Sequence, residues 1–398
     1  MKNKAVIFGV NQYVGLSAAR CLGEQGIHVV AVVMENHRYA EDYGFFSRYI
    51  QERVYVPHYE LEEGRQGIVQ RLIQFARLQE VKPVLIPSAD PHVEIIDEYF
   101  DQLREHFFLP GLEQGLYTQL QDKDKLYLKC LEQNVLVPKV LIPDGSQNFL
   151  ERVVREIGYP CLVKPVSSFE FIGVFRTKMF VVSNRQELTD GLQKAREASL
   201  DVFVQQMIMG FDDHLYTFDA WIDRRGNVSH WVTGQKQRQF PINFGSSTFI
   251  RQKYVPEIVE IGTKFLTAVG YRGFAEIEFK QDARDGRFYL IEVNVRITNF
   301  NAMLAKVGFN VPLVWYRELT GQPIGSLALE EDTGWHFWYS YEDFRAITNY
   351  LAQGQLTLGQ IIRSLFVKKV GAIWDWQDIM PGLKAIQLYS SKLFKRFK

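Results

Sequence analysis

The stretch Gly273-Phe274-Ala275-Glu276-Ile277-Glu278-Phe279-Lys280, returning after Asp285-Gly286 as Phe288-Tyr289-Leu290-Ile291-Glu292-Val293-Asn294-Val295-Arg296, decides how the chain is read. Its two halves have the composition of a β-hairpin. Period-2 alternation puts Glu276 and Glu278 on one face and Ala275, Ile277 and Phe279 on the other. On the returning strand Leu290, Glu292, Asn294 and Arg296 share a face. If the two polar faces align, three carboxylates and an amide oxygen converge. Several carboxylates buried together need a cation, and an all-oxygen set suits Mg²⁺, which is usually held by one or two carboxylates plus substrate phosphates. The same pattern also describes an antiparallel ribbon with one wet polar face, and the hairpin alone does not separate the two readings.

Upstream, a helix is expected over residues 256–269, and two alternating strands over 215–222 and 228–233 are joined by a turn at 223–227, so this region is antiparallel. Residues 235–247 read as a polar loop containing glycine. Residues 202–210 read as a strand running into a turn, followed by Asp212, Asp213 and His214. Further back, helices are expected over 123–133 and 148–157. The apolar strand Cys161-Leu162-Val163 ends in Lys164-Pro165, a loop follows over 166–173, and a strand over 179–182. A lysine ending an apolar strand either snorkels at a sheet edge or sets a point charge against a ligand above the strand end. Residues 5–33 read as one βαβ unit, with a helix over 67–79 and a short strand Pro83–Pro87 ending in Ser88-Ala89-Asp90. Strands alternating with helices predict a parallel sheet here. Gly9 and Gly15 flank its first turn, which serves either a sharp bend or a phosphate at the helix N-terminus. The spacing is not G-x-G-x-x-G.

Taken in order, these blocks resemble the ATP-grasp superfamily. Lys123 heads a helix fifteen residues before Pro138. Tyr159-Pro160-Cys161-Leu162-Val163-Lys164-Pro165 matches the lysine strand, Val204-Gln205-Gln206-Met207-Ile208-Met209-Gly210 the hinge strand, and Gly273 to Glu278 with Glu292-Val293-Asn294-Val295-Arg296 the paired terminal motifs. Within the superfamily the chain is most similar to carboxylate-amine ligases of the D-aspartate ligase group, on Lys164-Pro165-x-x-Ser168-x-Glu170, Gly210-x-Asp212-Asp213 and the terminal hairpin. The resemblance covers roughly residues 1–320. It implies a mixed α/β fold with a Rossmann-like N-terminal domain over 1–110 and a two-lobed ATP-grasp core over 111–325, the small lobe reaching about 205. A helical C-terminal extension would occupy 326–398.

The resemblance also implies ATP and one or two Mg²⁺ ions, with Mn²⁺ as a substitute, and an amide formed from a carboxylate and an amine through an acyl phosphate, releasing ADP and phosphate. The acceptor would be a cell-wall or capsule precursor; the alternatives are a ligase of free small amino acids and a non-catalytic nucleotide-binding module. Glu278, Glu292 and Asn294 would hold metal, and Lys123, Lys164 and Ser168 the phosphates. Gln205, Gln206 and Ile208 would meet the adenine and Asp213 the ribose. Arg296, Arg251 and Arg238 would stabilise the acyl phosphate or hold a substrate carboxylate, for which guanidinium's planar fork is suited. Three departures stand out: the phosphate-covering segment 166–173 is bulky with one late glycine, Gln206 stands where an acid is usual, and Glu276 occupies a position that is Arg in D-alanine ligases.

Composition bounds the remaining classes. The 398 residues carry 46 Lys+Arg against 46 Asp+Glu, a balance that argues against general capture of nucleic acid. Cys21, Cys130 and Cys161 lie too far apart for a disulfide framework or a zinc site, which suits a reducing cytoplasm. The run 5–9 is too short for a signal core. From Ile361 onward eight cations face two acids. Residues 383–398 alternate apolar residues with lysines in a helical manner. That pattern fits either an interfacial helix at the inner face of an anionic membrane or a helix packed on the core. Oligomerisation is compatible with all of this.

Overall fold

The computed structural model describes residues 2–396 except 36–41, 60–63, 111–113, 167 and 244, and except the side chains of 116, 124, 168, 169 and 392–396. The N-terminal sheet holds β1 (Ala5–Phe8), β2 (Val29–Met34), β3 (Ile50–Val56) and β4 (Val84–Pro87), all parallel, in the order β3-β2-β1-β4. Every residue of β1 and β4 is buried. Continuous apolar runs give this outcome when helices cover both faces of a parallel sheet. Those helices are α1 (Tyr13–Gly23), α2 (Gly64–Arg77), α3 (Asp90–Glu98) and α4 (Phe100–His106). A Cβ at Gly15 would lie 2.0 Å from the Gly9 carbonyl oxygen, and one at Gly9 would meet His92 at 2.2 Å. The two glycines therefore let α1 start directly against the turn, which is the sharp-bend reading.

Helices α5 (Leu116–Gln121) and α6 (Lys123–Glu132) lead into a four-stranded antiparallel sheet in the order β5-β8-β6-β7. It comprises β5 (Val140–Leu141), β6 (Cys161–Pro165), β7 (Phe180–Val182) and β8 (Val202–Gln206), backed by α7 (Phe149–Glu156) and α9 (Arg185–Glu197). Cys161, Val163, Val182 and Val204 face those helices. Pleating therefore turns Lys164 to the opposite side. The segment expected as a loop over 166–173 is instead largely helix α8 (Ser168–Phe175). Phe171, Phe175 and Phe180 form a triangle with ring centroids 4.7 to 5.0 Å apart. An aromatic inward face and a single glycine favour helix here over an open loop.

The third sheet runs β13-β12-β9-β10-β11-β15-β16, with β14 (Leu327–Ala328) beside β10. Its strands are β9 (Leu215–Ile222), β10 (Val228–Phe240), β11 (Ser246–Gln252), β12 (Gly273–Gln281), β13 (Phe288–Asn294), β15 (Trp335–Trp338) and β16 (Lys368–Gly371). Most of the expected loop 235–247 is thus strand, β10 reaching Phe240 and β11 beginning at Ser246. Long polar residues fit there because Gln235, Lys236, Arg238 and Gln239 are all buried against polar partners. Helix α10 (Pro256–Ala268) packs Ile258, Phe265 and Leu266 beneath β9 and β12.

Helices α11 (Asn301–Lys306) and α12 (Val311–Leu319) join the third sheet to the N-terminal one. Asn301 donates to Ser17 at 2.7 Å, and the Tyr316 hydroxyl donates to the Asn3 carbonyl at 2.7 Å. The rest of the chain, α13 (Ser340–Ala352), α14 (Leu358–Leu365) and α15 (Ile379–Arg396), accompanies strands β14 to β16, so the C-terminal region contributes sheet as well as helix. Asp378, just before α15, accepts from Arg20 Nε at 2.9 Å, Ser47 Oγ at 2.7 Å and the Arg48 amide at 2.9 Å. Helix α15 buries Ala385 and stacks Tyr389 on Tyr341 at 3.7 Å, so it packs on the core, while Leu383 and Ile386 remain exposed. Among the described residues no helix is long and apolar enough to cross a membrane.

Candidate active site

The hairpin pairs in the register that aligns its polar faces. Glu278 lies opposite Glu292 and Glu276 opposite Asn294, with a bulge just after Glu278. Strand β9 extends the same face, because Glu276 lies opposite Asp219 and Glu278 opposite Thr217. Lys236 of β10 reaches across, its Nζ 2.6 Å from Glu278 Oε1 with both side chains largely buried. Burial alone would discharge Lys236, but Glu278 and then Glu276 outweigh it and hold its pKa above the ordinary lysine value. Burial likewise works against the charge of Glu292, and Lys123, then Lys236 and Arg296, overcome it to hold that carboxylate ionised. Asp219 accepts from Thr217 Oγ1 at 2.9 Å, and its buried Oδ1 has no protein partner among the described residues. Burial and then Glu276 raise its pKa well above the usual carboxylate range.

This donor set fits Mg²⁺. Glu278 and Glu292 offer carboxylate oxygens from adjacent strands, and Asn294, whose amide nitrogen lies 3.5 Å from Glu292 Oε1, stands beside them, a set that leaves other positions for water and phosphate. Arg296 closes one end: its Nε donates to Asp90 Oδ1 at 2.7 Å and its Nη2 to Asn294 Oδ1 at 3.2 Å. Asp90 thereby ties the N-terminal sheet to the site.

Lys123 and Lys164 line a cleft of about 1650 Å³ together with Phe203, Pro165 and Ile142. Burial, then repulsion from Lys123, pushes the Lys164 pKa down to about 7. An anion in the cleft would restore the charged form. Binding of a nucleotide phosphate near pH 8 is therefore expected to take up a proton, and affinity is expected to fall as pH rises above about 7. Calorimetry in two buffers of different ionisation enthalpy reads this uptake directly. Its persistence in Lys164→Met would show that another group takes the proton.

The other expected contacts fall in different places. Gln205 is buried and donates to the Tyr127 hydroxyl at 2.9 Å, while Gln206 Oε1 accepts from the Lys139 amide at 3.2 Å. Ile208 is buried beyond them. Asp213 lies exposed in a short turn, its carbonyl accepting from Gln235 at 2.6 Å. Ser168 begins α8, but its side chain lies outside the described residues. Arg251 donates to Gln235 at 2.7 Å.

Arg238 requires correction. Its Nε and Nη2 each lie 2.8 Å from a different oxygen of Asp343 on α13, both side chains are almost fully buried, and the guanidinium sits 4.1 Å over the Phe249 ring. It clamps α13 to the third sheet and does not face the carboxylate cluster. Sequence reasoning missed Lys236, Asp219 and Asp90. Lys236 lies within the expected loop 235–247, and alternation along β10 groups it with Val232 and Gly234, so no local pattern marks it. Asp219 stands two residues after Thr217 on an alternating strand, which was the available signal for it.

Residues 124–317 match the family model described as carbamoyl-phosphate synthase L chain, ATP binding domain. Over 239 residues the chain is 28% identical to D-aspartate ligase of Enterococcus faecium (strain Aus0004), an alignment covering 58% of this chain and 57% of that protein. The chain thus spans little more than half the length of this relative. Among solved structures, the complex of biotin carboxylase with beta-gamma-ATP from Campylobacter jejuni superimposes with a TM-score of 0.64 at 18% identity, covering 84% of this chain and 74% of that one. L-amino acid ligase from Bacillus licheniformis gives a TM-score of 0.58 at 17% identity, covering 80% and 75%. Over residues 124–317, just under half of its length, the chain is thus similar to the ATP-binding domains of the ATP-grasp superfamily, and its fold is that of the solved structures above. Within that superfamily, the chain is similar to D-aspartate ligase.

Proposed function

We propose that the protein is an ATP-dependent carboxylate-amine ligase. The observation that carries this reading is the register that sets Glu278 against Glu292, and Glu276 against Asn294, with Lys236 in the cluster. The likeness to D-aspartate ligase supports it. Bound Mg²⁺ would supply neutralisation of phosphate charge. Glu278, Glu292 and Asn294 would hold it, and Lys123 and Lys164 would bind phosphate oxygens from across the cleft. Phosphoryl transfer of this kind depends on positioning and charge more than on covalent help from the protein. A substrate carboxylate held near Arg296 would attack the γ-phosphorus, displacing ADP and giving an acyl phosphate. The amine would then attack the acyl carbon, and phosphate would leave as the C–N bond forms.

The same reading divides the chain into an N-terminal domain over 1–110, a core over 111–325 and an extension beyond. It includes a cell-wall or capsule precursor as acceptor, with free amino acids as the alternative. The test is ADP and phosphate release from MgATP in the presence of separate pools of L-amino acids, D-amino acids and wall precursors. Stimulation by one pool is expected, with one ADP per amide formed. Release of AMP in place of ADP would sink the acyl-phosphate route.

A further inference from the structure

Helix α14 has an apolar face that none of the described residues covers. Leu358, Ile362 and Leu365, with Phe366 directly after the helix, fall on one stripe by helical spacing. They are 68%, 56%, 57% and 84% exposed, and no residue of the helix is buried. An eight-residue helix is too short to persist on propensity alone. Local devices hold this one: Thr357 and Gln360 form a reciprocal capping box, and Lys369 Nζ donates to the carbonyls of Ser364 at 3.1 Å and Leu365 at 2.7 Å. The stripe is therefore preformed without tertiary packing, and contiguous apolar surface of that kind marks an interaction site.

Charge identifies the partner. From Phe344 to Trp374 the chain has no Asp or Glu and carries Arg345, Arg363, Lys368 and Lys369, although the whole protein is neutral. Arg363 falls at the edge of the stripe and Lys368 follows Phe366; both are exposed. A two-fold dimer would set this patch against itself and bring cations together, which disfavours a second copy. An anionic leaflet meets both needs at once, with hydrocarbon for the stripe and phosphate for the flanking cations.

We propose that α14 and Phe366 dock the protein on an anionic lipid surface, the apolar stripe entering the acyl boundary while Arg363 and Lys368 meet headgroups. This is a different element from the C-terminal helix singled out by the sequence, which directs Ala385 and Tyr389 to the core. It is also independent of the ligase reading.

The experiment is cosedimentation of the full chain with vesicles of phosphatidylcholine, alone or mixed with phosphatidylglycerol. Binding to the anionic vesicles only is expected, weakening as salt rises. Leu358→Ser/Ile362→Ser/Phe366→Ser is expected to reduce it about tenfold or more. Arg363→Glu/Lys368→Glu keeps the stripe and is expected to lose the preference for anionic lipid. Because these side chains are exposed, both variants should keep the wild-type melting midpoint. The proposal is overturned if the wild type ignores anionic vesicles or if the triple variant binds as well as the wild type. It is equally overturned if light scattering shows a dimer that the triple variant abolishes.

Discussion

Glu292→Gln is expected to lower Mg²⁺-dependent ADP release by about 100- to 1000-fold, the usual effect of removing one preorganised charge from a reacting site. The substitution keeps shape and removes one negative charge from the β13 position directly opposite Glu278. It leaves Lys123, Lys236 and Arg296 facing a neutral amide where these cations otherwise keep Glu292 ionised in the folded protein. Some stability is lost with that attraction, so activity must be compared at equal folded fraction. The decisive reading is metal dependence: raising Mg²⁺ should recover part of the rate if the lost group is a ligand. A wild-type rate for ADP release in Glu292→Gln would remove the carboxylate pair from the mechanism.

The other large effect is on stability. Arg238→Met is expected to destabilise the fold by about 3–5 kcal/mol, because breaking a buried ion pair leaves one charge uncompensated. Asp343 keeps bonds from Thr248 Oγ1 at 2.9 Å and Trp338 Nε1 at 3.0 Å, which places the expectation toward the lower end. Arg238→Met/Asp343→Leu removes both charges and should recover most of the loss, as seen in urea denaturation through the shared midpoint. ATP turnover per folded molecule should be close to wild type in both. If Arg238→Met kept its stability and lost turnover, the arginine would belong to the active site after all.

The fates of Arg238 and Lys236 show where sequence reading reaches its limit. Both lie on β10, and both were read inside a loop because buried polar side chains give no apolar alternation. Nothing local distinguishes the cation that meets Glu278, on a neighbouring part of the same sheet, from the one that meets Asp343, more than a hundred residues away. Helix α8 was missed for a related reason: its inward face depends on Phe180, which reaches Phe171 only once β7 has folded beside β6.

The sequence by itself determined the alternation of the terminal hairpin, the lysine at the end of β6, the lysine heading α6 and the parallel character of the first sheet, since each is set by periodicity within a few residues. Only the tertiary structure decided which carboxylates share a face with which cations, that Asp90 braces Arg296, that α15 packs on the core and that α14 does not. Those outcomes rest on contacts between residues far apart in the chain, and the balance of burial against charge that governs them has no value until the partners are in place.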